Sequence, residues 1–93
     1  MKIEILGTGC SKCQKLESNA RKALEDTIND TKIDAEIVKV TDIMEIVKYG
    51  VRLTPAIAID GVVQSYGRIS TVDEIKKFLY KKIEEDKNKP YNK

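Results

Sequence analysis

The 93-residue chain reads as an α/β domain, a mixed four-stranded sheet with helices on both faces, in the order β-α-β-α-β-β-α. Three observations predict this. Four short β-rich runs alternate with three segments whose apolar residues recur every three or four positions. The first two runs are separated by a helical segment, which calls for a parallel pair with a right-handed crossover. The last two are separated only by Asp60-Gly61, the two-residue signal of an antiparallel hairpin.

The elements follow in order. "MKIEIL" is the first strand, broken by Gly7 and Gly9. From Ser11 the period changes. Cys13, Leu16, Ala20, Ala23, Leu24 and Ile28 mark the inner stripe of a helix, and Asn29-Asp30 is its expected stop. "AEIVKV" (35–40) is the second strand. Thr41 or Asp42 caps a short helix with Ile43, Ile46 and Val47 as its inner face, and Gly50 stands where a left-handed C-cap is expected. Thr54-Pro55 leads into "AIAID", a run of small and branched residues suited to a strand buried on both faces. "VVQSY" is its hairpin partner. Thr71 and Glu74 match a capping box, and Val72, Ile75, Phe78, Leu79 and Ile83 give the last helix its face. The stem of Lys82 extends that face while its charge reaches water. The domain is expected to span 1–85, and 86–93 to be a frayed polar tail.

Composition narrows the function classes. Seventeen basic and 15 acidic residues leave a net charge of +2. Lysines alternate with acids, so a basic nucleic-acid footprint is not expected. No run approaches the ~18 apolar residues of a membrane span. The N-terminus has neither the apolar core nor the cleavage site of a signal peptide. A cytoplasmic location is therefore expected. That compartment is kept reducing, so a permanent structural disulfide is disfavoured there. The chain has no histidine, which removes the usual general base and the commonest metal ligand.

Chemistry concentrates in "GTGCSKC", which holds both cysteines. Cys10 falls where a strand ends and a helix begins. The first turn of a helix carries unpaired N–H groups and a partial positive charge. A thiolate placed there is stabilised, below the free value of ~8.5. Lys12 and Lys15 add positive charge. Cys13 follows at i+3, on the inward stripe and within reach of the same site. Cys10 then serves as the attacking thiol and Cys13 as the resolving one in disulfide exchange. The same spacing also suits a soft metal such as Cu(I) or Zn, and the motif alone leaves both readings open.

A second element lies far along the chain. X-Pro bonds are the ones that adopt cis at low cost, and proline is tolerated at the first residue of a strand. Taken together, "KIEILGTGCSKC", "KVTDI", "YGV", "TPA" and "IDG" resemble the small archaeal and bacterial thioredoxin-like "redox-active disulfide" proteins. The resemblance runs from Lys2 to about Leu79. It implies a minimal thioredoxin fold, and a thiol–disulfide oxidoreductase that needs no cofactor beyond a Cys10–Cys13 disulfide and no metal. By the same resemblance Pro55 is cis beside the cysteines, and the backbone of Thr54 pairs with an extended substrate. Disulfide-containing client proteins and an upstream reductase are the implied partners. Neither nucleic acid nor membrane is among them, and a monomer is expected.

Some positions depart from the wider superfamily. The pair encloses Ser11-Lys12, which should tune its potential, and there is no tryptophan. "YGRIS" has one glycine where glutaredoxins hold glutathione with a glycine-rich turn, so glutathione is not expected as the substrate. Arg68 there is expected to be solvated. Thioredoxins keep a buried acid six residues before the first cysteine, where Glu4 stands. By the resemblance Glu4 is a candidate to tune the thiols by aiding proton transfer at Cys13, but an unpaired buried acid is costly, so the residues alone favour a Glu4 partly exposed at the sheet edge. Tyr49 and Tyr66 are expected to be half-buried packing groups. The competing reading, a metal carrier, suits a β-α-β-β-α-β order, which this chain does not follow.

Overall fold

The strands are β1 (Lys2–Leu6), β2 (Glu36–Val40), β3 (Ala56–Ile59) and β4 (Val62–Tyr66), and the helices are α1 (Ser11–Thr31), α2 (Ile43–Lys48) and α3 (Val72–Asn88). This is a computed structural model that describes residues 1–9 and 11–88, with side chains to residue 85. The four-stranded sheet has the order β2-β1-β3-β4. β1 pairs parallel with β2 and antiparallel with β3, and β3 pairs antiparallel with β4. The expected order and architecture therefore hold.

The local signals act as their chemistry requires. Asp60 and Gly61 both take positive φ, 50° and 86°, as a type I′ turn demands. Asp60 also ties the turn to the start of β1: Lys2 N–H donates to Asp60 Oδ1 at 2.7 Å, and Asp60 N–H donates to the Lys2 carbonyl at 2.8 Å. The side chain of Asp42 caps α2 through Met44 N–H at 2.9 Å, and Gly50 follows at φ 80°. Thr71 and Glu74 form the reciprocal capping box of α3, at 2.9 and 3.1 Å.

Two helices run longer than expected. α1 passes through Asn29-Asp30 and stops at Thr31, with Lys32 in the left-handed region at φ 60°. Asn and Asp are only weak helix residues, and Asp30 gains a bond from the Tyr80 hydroxyl of α3 at 2.8 Å. α3 continues to Asn88, three residues past the expected domain boundary. Residues 89–93 of the expected tail lie outside the described residues.

The two faces of the sheet are covered differently. Ile3, Ile5, Ile57 and Ile59 pack under α1 and α3, against Leu16, Ala20, Ala23, Leu24, Ile75 and Leu79. Leu6, Ala56 and Ala58 pack under α2 and the segment after it, against Ile46 and Val51; of the expected inner face of α2 only Ile46 is buried, and Ile43 and Val47 are exposed, because a six-residue helix turns little more than one side chain onto the sheet. β3 is buried at all four positions, as its composition predicts. No helix among the described residues is long and apolar enough to cross a membrane.

Candidate active site

The site is assembled at the end of the sheet where β1 stops and β3 starts. Gly7 N–H donates to the Val40 carbonyl at 3.0 Å, which extends the β1–β2 ladder by one residue. Gly9 takes φ 95°, and the chain enters α1 at Ser11. Gln14, in the first turn, donates back to the Gly9 carbonyl at 3.3 Å. Ser11 and Lys12 are exposed on that turn. Cys10 lies outside the described residues.

Cys13 is buried, at 5% exposure. Its Sγ lies directly over Gly7. A Cβ on Gly7 would overlap that sulfur and would come 3.3 Å from the Cys13 Cβ and 4.0 Å from the Pro55 Cα. Gly7, Cys13 and Pro55 thus meet at one point, brought there by β1, α1 and the loop before β3. Glycine at position 7 is required by this close approach, a role the sequence reading gave only as a chain break.

The Thr54–Pro55 peptide bond is cis. Pro55 is buried while Thr54 is exposed. The Pro55 carbonyl accepts from Gly67 N–H at 2.9 Å. Gly67 takes φ 74° and its Cα faces Leu53, so that an added Cβ would stand 3.2 Å from the Leu53 side chain. Gly67 therefore buttresses the proline loop, another role missed from sequence. The signal was present in "YG", a glycine closing the strand that pairs with "AIAI". Thr54 makes no backbone hydrogen bond among the described residues.

Glu4 corrects an expectation. It is 6% exposed, because β1 is an inner strand rather than an edge. Its burial is matched by hydrogen bonds to both oxygens. The Tyr49 hydroxyl donates to Oε2 at 2.6 Å, and Gly61 N–H donates to Oε1 at 2.8 Å. The bond to Glu4, burial, and the charges of Glu4 and Glu45 push the Tyr49 phenol up to about 12. Glu4 alternates with Ile3 and Ile5 and so lies on the α2 face, whereas Cys13 reaches Gly7 from the α1 face. The structure brings Cys13 and Pro55 together, while the Glu4 carboxylate is held by Tyr49 and Gly61. Tyr66 is 60% exposed rather than half-buried, since β4 is an edge strand. Arg68 is exposed, as expected, but it also has a carboxylate partner. Its Nη2 donates to both oxygens of Glu74 at 2.7 Å, a partner that the capping box holds in place.

The thioredoxin-domain family model matches residues 1–80. The chain belongs to the thioredoxin family. It is similar to a thioredoxin of Methanothermobacter thermautotrophicus, 43% identical over 79 residues, which cover 85% of this chain and 97% of that one. It is similar also to a thioredoxin of Methanocaldococcus jannaschii, 46% identical over 82 residues, covering 88% and 90%. Membership of the thioredoxin family makes the chain a thiol–disulfide oxidoreductase.

Proposed function

We propose that this thioredoxin-family chain exchanges disulfides with client proteins through Cys10 and Cys13. The Cys10 thiolate attacks one sulfur of a client disulfide, expels the other client sulfur as a thiolate and forms a mixed disulfide. Cys13 then loses its proton, attacks the Cys10 sulfur and releases the second client thiolate. Two electrons pass to the client and a Cys10–Cys13 disulfide remains, which an upstream reductase returns to the dithiol. The reading is carried by one observation: the Cys13 sulfur sits at the junction of Gly7 and Pro55, three residues after Cys10.

Other features fit this course. A helix N-terminus and Lys12 favour a thiolate at Cys10, and Ser11-Lys12 between the cysteines tunes the potential. Thr54, exposed and with its backbone unpaired among the described residues, is suited to pair with an extended client segment. A reducing cytoplasm suits a pair that must cycle. The chain acts as a monomer and needs no further cofactor.

The test is a redox titration of the full chain followed by alkylation. A reversible two-electron transition, with alkylation at neutral pH selective for Cys10, supports the proposal. Cys13→Ser mixed with an oxidised client should accumulate a mixed disulfide on Cys10. An ordinary Cys10 pKa of about 8.5 together with tight Cu(I) binding would overturn it in favour of metal carriage.

A further inference from the structure

Gly9, the residue before Cys10, is not held by packing. It takes φ 95°, it is exposed, and a Cβ built on it would meet nothing within 4 Å. Glycine has the widest backbone freedom of any residue, so neither a side chain nor a neighbour fixes the peptide group that joins Gly9 to Cys10. One contact restrains it. Gln14 Nε2 donates to the Gly9 carbonyl at 3.3 Å, and Gly9 makes no other hydrogen bond among the described residues.

The bond runs opposite to those at the other helix starts. Asp42 and Thr71 accept from backbone N–H groups inside α2 and α3, which closes the first turn of each helix. α1 has no acidic residue in its first turn. Gln14 instead donates, from the helix back to the chain that precedes it. Such a bond leaves the first-turn N–H groups of α1 as they are and restrains only the incoming peptide. That peptide leads into Cys10. Cys13 is fixed by other means, buried and with its sulfur over Gly7. The core therefore places Cys13, whereas the approach to Cys10 is left to the Gln14 bond.

We propose that Gln14 is a positioning residue for closure of the Cys10–Cys13 disulfide. A disulfide tolerates only a narrow range of separations and torsions, and two groups held near their reacting geometry behave as if highly concentrated. By gripping the Gly9 carbonyl, Gln14 narrows the directions open to Cys10 and raises the effective concentration of its sulfur at Cys13. In the closing step the Cys13 thiolate attacks the Cys10 sulfur of the mixed disulfide, the bond from Cys10 to the client sulfur breaks, and the client leaves as a thiolate. Gln14 touches no reacting atom in that step and carries no electron or proton. This inference rests on the disulfide-exchange reading above and adds what sets the ease of closure.

The test is Gln14→Met in the full chain. It removes the donor and keeps the length of the side chain, and Met forms helix as readily as Gln at this exposed position. Both chains are equilibrated in mixtures of oxidised and reduced dithiothreitol, and the Cys10–Cys13 disulfide is measured by alkylation. Gln14→Met should favour the dithiol about threefold relative to the wild type, the scale of one exposed hydrogen bond, which is about 14 mV for a two-electron couple. A second measurement separates positioning from thiol acidity. In the Cys13→Ser background, the rate at which Cys10 attacks hydroxyethyl disulfide should keep the same pH profile with and without Gln14→Met. An unchanged dithiol–disulfide equilibrium overturns the inference and leaves the exchange reading standing. A pH profile of attack that moves with Gln14→Met overturns it too, because Gln14 would then act on the acidity of Cys10. Absence of any reversible disulfide in the wild type removes both readings.

Discussion

The two faces of the sheet do different work. The α1–α3 face is closed, with Ile3, Leu16, Ala20, Ile57, Ile59, Ile75 and Leu79 all at 0% exposure. The α2 face is half open. It buries Leu6, Ile46, Val51 and an acid, Glu4, and leaves Ile43, Met44 and Val47 in water. The closed face supplies stability and fixes the position of Cys13. The open face supplies an apolar surface bordered by Thr8 and Thr54. One molecule of 93 residues cannot cover both faces with long helices.

The contrast can be tested by unequal costs. Leu16→Ala on the closed face should cost about 3 kcal/mol of stability, read by urea denaturation, since it empties a site with no exposed neighbour to collapse into. Gly7→Ala should cost about 2 kcal/mol through overpacking against the Cys13 sulfur. It should also slow resolution, so that a mixed disulfide persists on Cys10 during turnover. An unchanged turnover would show that the contact at Gly7 is not tight.

Tyr49→Phe probes the open face, where a buried carboxylate would lose one donor. It should cost about 1–2 kcal/mol at neutral pH, as for a hydrogen bond to a charged group. The sign of its pH dependence is fixed. The folded-state value of Tyr49, about 12, lies above the ordinary phenol value of 10.0. The stabilisation is therefore fully present below pH 10 and is lost as pH rises toward 12. Denaturation of the wild type and Tyr49→Phe across that window should show the two curves converging. The smallest effect belongs to Val47→Ser. With 62% of Val47 exposed, the change in stability should stay within about 0.5 kcal/mol. A cost near that of Leu16→Ala would mean that the α2 face is closed in solution, and the contrast would break.

Much of the fold was legible because its signals are local. The hairpin at Asp60-Gly61, the cap at Asp42, the left-handed Gly50 and the Thr71–Glu74 box each depend on residues a few positions apart. The stripe of α1 identified the inward face of Cys13, which the burial of that residue matches. Glu4 was misread because its environment is not local. It was assigned to an edge, yet β3 inserts beside β1 and makes that strand central. The groups that satisfy Glu4, Tyr49 and Gly61, stand 45 and 57 residues away. Arg68 is exposed as its residue type suggests, and what the sequence does not display is that the capping glutamate at the start of α3 lies within its reach.

The sequence by itself determined the order of elements, their turns and caps, and the inward face of Cys13 on α1, because hydrogen bonding and apolar periodicity over a few residues dictate each of these. Tertiary structure decided which strand is central, why position 7 must be glycine, how a buried acid is satisfied, and which apolar residues of α2 remain in water. Those outcomes depend on which distant surfaces meet, and a one-dimensional pattern of side chains does not encode that meeting residue by residue.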